Sequence, residues 1–590
     1  MKNFSKPKDM KNTFNMLLKY LGTEKKLMFS FIIFLIINSL ASFAPSMITA
    51  PLIDELVAVK NFKNLAVNTL IKYIIILAVI ALIGVISNYT YNFLALKLSQ
   101  KTVNRIRKDL FARMKYLPIR YFDSIAHGEI MSRFTNDMDN ISDALNNSLP
   151  QLISSFITLI GTLAVMIYLS PILVLVTCLM LPLMLKSSSM ILNMSRQSFR
   201  DQQKNLGILN GFIEETMEGQ KVVKAFCYEK NIKAKFDECN ENYRSAAAKS
   251  QIYSGIIMPI MFNINNINYA LSTAIGAVLI LLNQLTIGRL TSFLQLARQF
   301  ARPVADLSSQ FTTVQSALAG AERIFEIMNE QQENQNIESQ VELDKNILHD
   351  VKFSNVTFGY LPEKIVLKNI SFTAKPGEKI ALVGSTGAGK TTIANLITRF
   401  YDTIDGSIEI NGINIKEFSL KNLRALIGMV LQDTHLFDGT IIENIRYGRL
   451  DATDEECIEA AKLSNADSFI KRLPHGYNTV IHEDGNNLSQ GQRQLLNIAR
   501  VAVSSPAILI FDEATSSVDT RTEELIENGM NKLMSKCTTF VIAHRLSTIK
   551  NANTILVIEN GEIIEHGSHN DLINEHGRYY QLCSGQYELK

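Results

Sequence analysis

Four stretches with no charged residue, 27–53, 73–96, 144–185 and 250–288, constrain this 590-residue chain more than any other feature. A helix needs about 20 apolar residues to cross a hydrocarbon layer, so each stretch is long enough to span. The third holds two spans, with Ser170-Pro171 marking a tight turn near its middle, and the fourth holds a fifth span and the turn after it. Hydropathy alone stops there, because 290–318 contains Arg298, Arg302 and Asp306. Average composition, 47% hydrophobic and 19% charged, hides this segregation and would suit a soluble enzyme. At this length two or more domains are expected.

Charge sets the predicted orientation. Residues 97–120 carry eight Lys or Arg (Lys97, Lys101, Arg105, Arg107, Lys108, Arg113, Lys115, Arg120) against one acid, Asp109, whereas 54–64 balances two against two. Positive residues stay on the cytoplasmic side, which places 97–120, the Lys-rich N-terminus and the C-terminal half in the cytoplasm of a plasma-membrane protein. Met1-Lys2-Asn3-Phe4-Ser5-Lys6 does not open a cleavable leader, and the amphipathic stretch Met10–Leu21 reads as an elbow helix on the inner face. Six cysteines (178, 227, 239, 457, 537, 583) show no metal spacing, and a net charge of +3 is too small to imply nucleic acid. Residues 329–348 are polar and read as a linker. The domains are therefore 1–26, an N-terminus with its elbow helix; 27–328, the membrane domain; and 349–590, a soluble domain.

That last domain carries nucleotide chemistry. Gly384-Ser385-Thr386-Gly387-Ala388-Gly389-Lys390-Thr391 fits the phosphate loop G-x-x-x-x-G-K-[ST], between the apolar strand Ile380-Ala381-Leu382-Val383 and a helical pattern from Thr392 to Phe400. Glycines let backbone N–H groups approach phosphates, and the helix N-terminus adds partial positive charge. Lys390 would reach the β and γ phosphates of ATP, the Thr391 hydroxyl would face Mg²⁺, and Thr392 is counted with the loop as nucleotide-binding. Downstream, Ile508-Leu509-Ile510-Phe511 ends in Asp512, suited to hold Mg²⁺, and Glu513, suited to polarise the attacking water.

With Leu488-Ser489-Gln490-Gly491-Gln492 between those two motifs, the chain resembles the ABC exporters over essentially its whole length. The resemblance implies a six-helix all-α transmembrane domain, its sixth helix at 290–318, followed by an α/β P-loop ATPase domain, together half a transporter. It also assigns Tyr360 to adenine stacking and Gln432 to Mg²⁺ and to sensing of the membrane domain. Ser489, Gly491 and Gln492 fall in the signature, Ser516-Ser517-Val518-Asp519 in the D-loop, and His544 in the switch that contacts the γ-phosphate. The expected catalytic set is Glu513, His544, Gln432 and Lys390; the metal set is Thr391, Gln432 and Asp512. Tyr121-Phe122-Asp123 with 128–134 and Asn136-Asp137, and Glu214-Glu215 to Ala225-Phe226, match the two cytoplasmic coupling loops.

One departure bears on assembly. The family signature usually reads Leu-Ser-Gly-Gly-Gln, and here Gln490 replaces the first glycine. Ser489 at a helix start can bind a γ-phosphate presented by a second subunit, and a long side chain beside that seat impairs the site it completes. Because Glu513 and His544 are kept, the reading is a heterodimer in which a different half-transporter donates a standard signature, with a homodimer as the alternative. The stretch Gln299-Phe300-Ala301-Arg302-Pro303 through Gln310 points the same way, by resemblance to heterodimeric multidrug exporters.

The substrate reading stays open. Phe34, Phe43, Met258, Met261 and Phe262 fit either an adaptable cavity for an amphipathic small molecule or ordinary contacts with helices and membrane lipids. Asn263, Asn265, Asn266 and Asn268 fit a polar cavity or helix-to-helix bonds, and Arg298 and Arg302 an anionic substrate or pairing with acids such as Asp306. Export of amphipathic compounds or lipids is favoured over a ligand-sensing ATPase with little transport. The uncharged tracts argue against a soluble ATPase acting on DNA or ribosomes.

Overall fold

The computed structural model describes residues 9–58, 65–333, 343–345, 347–361, 363–431, 434–512, 520–543 and 546–584. Two compact units emerge: Met1–Lys115 with Gly128–Glu330, and Tyr116–His127 with Gln331–Lys590.

The described part of the first unit is entirely helical, as it must be where hydrocarbon offers no partner for backbone polar groups. After Met10–Leu21, six long helices follow: Lys25–Ala58, Leu65–Met114, Leu149–Leu169, Pro171–Glu218, Glu229–Leu281 and Ile287–Asn329. Among the described residues, four segments are long and apolar enough to cross a membrane: Met10–Ala58, Leu70–Met114, His127–Leu169 and Phe262–Leu281. The fourth long helix adds the shorter apolar stretch Pro171–Met180, and the sixth is not among the four. Several helices run well past the uncharged tracts. The second continues through Lys97, Arg105 and Arg113 to Met114, since Lys and Arg are good helix formers in water.

Local chemistry sets the ends. Ser170 is extended (φ −163°, ψ 103°), its Oγ accepts from the Leu173 N–H at 3.4 Å, and Pro171 occupies the first helical position, where a missing N–H costs nothing. At the other turn, Thr286 Oγ1 accepts from the Arg289 N–H and donates to Asp54 Oδ2 at 2.6 Å, while Asp54 Oδ1 accepts from the Gly288 N–H at 2.8 Å. The first helix therefore caps the sixth.

The third membrane helix is preceded by two π turns, Arg133–Asp137 and Ala144–Ser148. Asp137, in the first of them, has a side chain only 3% exposed. It accepts from Arg323 Nε at 3.1 Å and from Arg133 Nη1 at 3.3 Å, and a second Arg323 nitrogen, Nη2, binds its other oxygen. A buried carboxylate clamped by two guanidiniums ties this wide turn to the sixth helix near its C-terminal end.

The described residues of the second unit form twelve strands: β1 (Val351–Phe358), β2 (Leu367–Ala374), β3 (Lys379–Gly384), β4 (Asp405–Ile410), β5 (Ile413–Asn414), β6 (Ile427–Val430), β7 (Gly439–Thr440), β8 (Val480–Ile481), β9 (Ile508–Asp512), β10 (Thr538–Ile542), β11 (Thr554–Glu559) and β12 (Glu562–Gly567). An antiparallel sheet runs β2-β1-β4-β5, and β7 pairs with β8. The main sheet runs β12-β11-β3-β10-β9-β6 and is parallel except at β12. Its central strands are largely apolar because both faces are covered; β9 and β10 are buried at every residue, including Thr538, Thr539 and Asp512.

Arg323→Met should leave Asp137 buried with half its partners gone. A loss of about 3 kcal/mol is expected, read as a lower unfolding midpoint in detergent and as no change in Asp137→Asn, Arg323→Met beyond that of the single variant.

Candidate functional site

Strand register builds the site. Leu382 of β3 lies opposite Ile542 of β10, and Ile542 lies opposite Asp512 of β9, so the loop after Gly384 and the Asp512 carboxylate leave the sheet at one edge. This is the carboxyl edge, where α/β sheets bind ligands.

The loop from Gly384 to Gly389 is shaped by close approach and by handedness. A Cβ on Gly384 would lie 2.1 Å from the Ile558 carbonyl oxygen, and Gly389, capping the helix Lys390–Ile397, has φ +108°. Ser385, Thr386 and Gly387 are exposed along the loop rim, while Ala388 is buried and its N–H turns back to the Ser385 carbonyl at 3.2 Å. Lys390 is buried, and its ammonium donates to the carbonyls of Gly384 and Ser385 at 2.8 and 2.9 Å. Burial lowers its pKa, and the Asp512 carboxylate opposes that shift. Among the described residues this buried cation is held by loop carbonyls and faces a carboxylate, an arrangement that can receive phosphate. Thr391 is exposed at the first turn of the helix and Asp512 is buried at the strand end, an oxygen pair of the hard type that Mg²⁺ takes.

Thr392 turns toward the aromatic Tyr360. It is buried, and its Oγ1 lies 3.2 Å from the Tyr360 hydroxyl, which also accepts from Asn395 Nδ2 at 3.3 Å. The Tyr360 ring meets Phe358 and Tyr401 edge-on at 5.1 and 5.0 Å between centroids, and remains partly exposed. The loop helix thus holds the ring whose free face is available to a base. Asn395 and Tyr401 are absent from the sequence reading; Asn395 follows Thr392 by three residues, on the same helix face, which is the signal that could have found it. Tyr401 donates to Asp123 Oδ2 at 2.5 Å, and that bond together with burial raises the tyrosine pKa. Asp123 sits in the short helix Ile119–Ser124, within the first of the two loops singled out above.

The signature segment forms a helix start as its sequence requires. Ser489 caps Gln490–Ser504: its Oγ accepts from the Gln492 N–H at 3.3 Å, and Gln492 Oε1 accepts from the Ser489 N–H at 2.9 Å, a reciprocal capping box. Gly491 is buried, and Gln490, the first helical residue, is exposed. Farther along this helix, Arg500 donates to the His435 carbonyl at 2.8 Å and to the Asn444 carbonyl and side chain at 3.0 Å each. Its guanidinium also lies over Phe437 and Tyr447. No local pattern announces these contacts, whose partners are distant in sequence.

Gln432, Glu513, the stretch 516–519 and His544 lie outside the described residues. Of the membrane candidates, Phe43 is buried against the third membrane helix at Gly161, in the packed core rather than a cavity. Phe262 is exposed, and the side chains of Met258 and Met261 lie outside the description. Asn263 donates to the Pro259 carbonyl one turn earlier and Asn265 to the Arg298 carbonyl across helices, while Asn268 is buried. Of these, Asn265 makes the helix-to-helix bond, Asn263 bonds within its own helix, and Asn268 is buried with its Oδ1 unpartnered among the described residues.

Two family models match the chain: the ABC transporter transmembrane region over residues 28–304 and the ABC transporter model over 367–516. An uncharacterized ABC transporter ATP-binding protein of Bacillus subtilis, YfiC, is 43% identical over 100% of this chain and 96% of its own. A fatty acid ABC transporter ATP-binding/permease protein of Mycobacterium bovis is 42% identical over 82% of this chain and 76% of its own. Among solved structures, a bacterial Atm1-family ABC exporter with ATP bound superposes with a TM-score of 0.77 at 29% identity, covering 96% of this chain and 98% of that one.

Tyr360→Ala should weaken ATP binding by about tenfold, the scale of one lost base–aromatic stack. Tyr360→Phe keeps the stack and loses only the two hydrogen bonds to Thr392 and Asn395, which position the ring without touching the base, so titration with a fluorescent ATP analogue should show a smaller loss, about threefold.

Proposed function

The chain belongs to the ABC transporter family as an exporter half-transporter with an ATPase domain, and from that premise we propose that it exports amphipathic small molecules or lipids across the plasma membrane as one half of a heterodimer. ATP hydrolysis coupled to transport and multi-pass membrane insertion come with the family. The direction, the substrate and the partner are our reading. The excess of Lys and Arg at 97–120 supports a cytoplasmic N-terminus and ATPase domain. The similarity to a fatty acid transporter supports an amphipathic cargo. We take the domains as 27–328, 329–348 and 349–590, with 1–26 ahead of them.

The residues would act as follows. On ATP binding, Lys390 exchanges the Gly384 and Ser385 carbonyls for β- and γ-phosphate oxygens, a charge-assisted bond replacing two neutral acceptors. Tyr360 stacks on the base from a position fixed by Thr392 and Asn395. Thr391, Asp512 and Gln432 would hold Mg²⁺, which supplies neutralisation of developing phosphate charge when bound. Glu513 orients and deprotonates the attacking water, and His544 binds the γ-phosphate. Ser489, held by Gln492, presents its hydroxyl to the γ-phosphate of a second subunit, so that binding closes the dimer and release of phosphate opens it.

The observation that carries the heterodimer is Gln490. It stands immediately beside Ser489 with its side chain exposed, on the surface that the partner's phosphate must reach, where the family has glycine. The site completed by this signature is therefore weak, and the site containing Glu513 needs a standard signature from another chain. ATPase activity of the chain alone in lipid, compared with the chain co-expressed with its genomic neighbour, tests this. Activity only with the neighbour is the expected result, and a fully active lone chain would establish a homodimer.

In the active assembly, Glu513→Gln should retain ATP binding and lower hydrolysis by about two to four orders of magnitude. ATP-dependent uptake into inside-out vesicles checks export, and ATPase activity without any uptake would favour a sensing role.

A further inference from the structure

The sixth long helix, Ile287–Asn329, has two chemically opposite faces. Phe293, Leu296, Ala297, Phe300 and Pro303 are buried against the rest of the first unit. Gln295, Arg298, Gln299 and Arg302 are exposed at spacings of three and four residues, and Asp306 continues the row, partly exposed. A charged helix face does not rest against hydrocarbon; in membrane segments such residues face a water-filled path or a protein partner.

The charges along this row do not cancel. Asp306 is engaged by Gln151 Nε2 at 3.0 Å, and Arg302 Nε reaches it only at 4.0 Å, with the Arg302 side chain 87% exposed. Among the described residues Arg298 has no carboxylate within ion-pair distance; its guanidinium lies over the Tyr269 ring at 4.0 Å. That stack fixes the guanidinium plane and leaves its N–H edge unpaired, the geometry with which arginine grips carboxylates and phosphates. Two guanidiniums one turn apart, one positioned by an aromatic ring and one projecting, form a site with excess positive charge in a segment where uncompensated charge is costly.

We propose that Arg298 and Arg302 bind the anionic headgroup, carboxylate or phosphate, of an amphiphilic substrate. This rests on the export reading and narrows it. The headgroup travels along the Gln295–Arg302 row, and the acyl portion is left to apolar surface. Arg298 supplies the fixed contact and Arg302 the mobile one; Asp306 limits how far Arg302 can follow the headgroup.

The test uses the ATPase-active assembly in proteoliposomes and three amphiphiles of equal chain length: dodecanoate, dodecyl phosphate and dodecyltrimethylammonium. The result expected is stimulation of ATP turnover by an anionic probe at a concentration at least tenfold below that of the cation, with the carboxylate and phosphate arms telling a fatty acid from a phospholipid source. Arg298→Gln and Arg302→Gln should each raise the half-stimulating concentration of the anion about tenfold and leave that of the cation in place, each measured against the same variant's turnover without amphiphile. Arg302→Lys should restore part of the response. Equal stimulation by the cation, or variants that shift all three probes alike, overturns the assignment; the second outcome would give the arginines to an ion pair with a partner subunit. A response to no amphiphile overturns the export reading along with it, whereas a response to the cation alone overturns only this inference.

Discussion

Parallel pairing of β3, β10 and β9 is the constraint on which the nucleotide chemistry depends. The strands are mostly apolar, Ile380–Val383, Ile508–Phe511 and Phe540–Ile542, and these segments are buried. Their common direction and register bring the start of the phosphate loop and the carboxylate of Asp512 to the same edge, although more than a hundred residues separate them in sequence. A slip of one residue would move every side chain of a strand to the opposite face and carry Asp512 away from Lys390. The apolar core, in this sense, is the positioning device, and the polar residues are what it presents.

A different constraint shapes the first unit. Without water, backbone groups bond within helices, and charged groups are restricted to the ends or to faces turned from lipid. The clasp of Asp54 on Thr286 and Gly288 obeys the first restriction at the end of the first long helix, and Asp137 with Arg323 and Arg133 satisfies buried charge by mutual pairing. The exposed row of the sixth helix is helical like the rest but carries charge that its neighbours only partly pair, and that is why it invites a functional rather than a structural explanation.

Much of this was legible in sequence because it is local. Uncharged tracts marked the apolar helices, Ser170-Pro171 marked a helix start that has a Ser cap and a Pro at its first position, and Ser489 proved to be the N-cap it was read as. The phosphate loop was legible because its glycines are demanded by geometry at their own positions. What was not legible depends on distant partners. Phe43 fitted a cavity or a packed core equally by residue type until its packing against Gly161 was seen, the bond between the Thr392 and Tyr360 hydroxyls joins residues 32 apart, and Arg500 has no signal that separates it from any other helical arginine. Helix lengths were underestimated because hydropathy reports where a helix is apolar and is silent where the same helix continues into water.

The aromatic set Phe358, Tyr360 and Tyr401 has a thermodynamic corollary. One member is proposed to stack on the base, and another holds Asp123 of the short helix Ile119–Ser124. If stacking of a base restricts the set, it also restricts the tyrosine that Asp123 grips, and the free energy of that restriction is shared between the two events. Reciprocity then follows: whatever factor the nucleotide adds to the hold on this short helix, the hold returns to nucleotide affinity. A transporter built this way would read the state of its own loop through the tightness of its ATP.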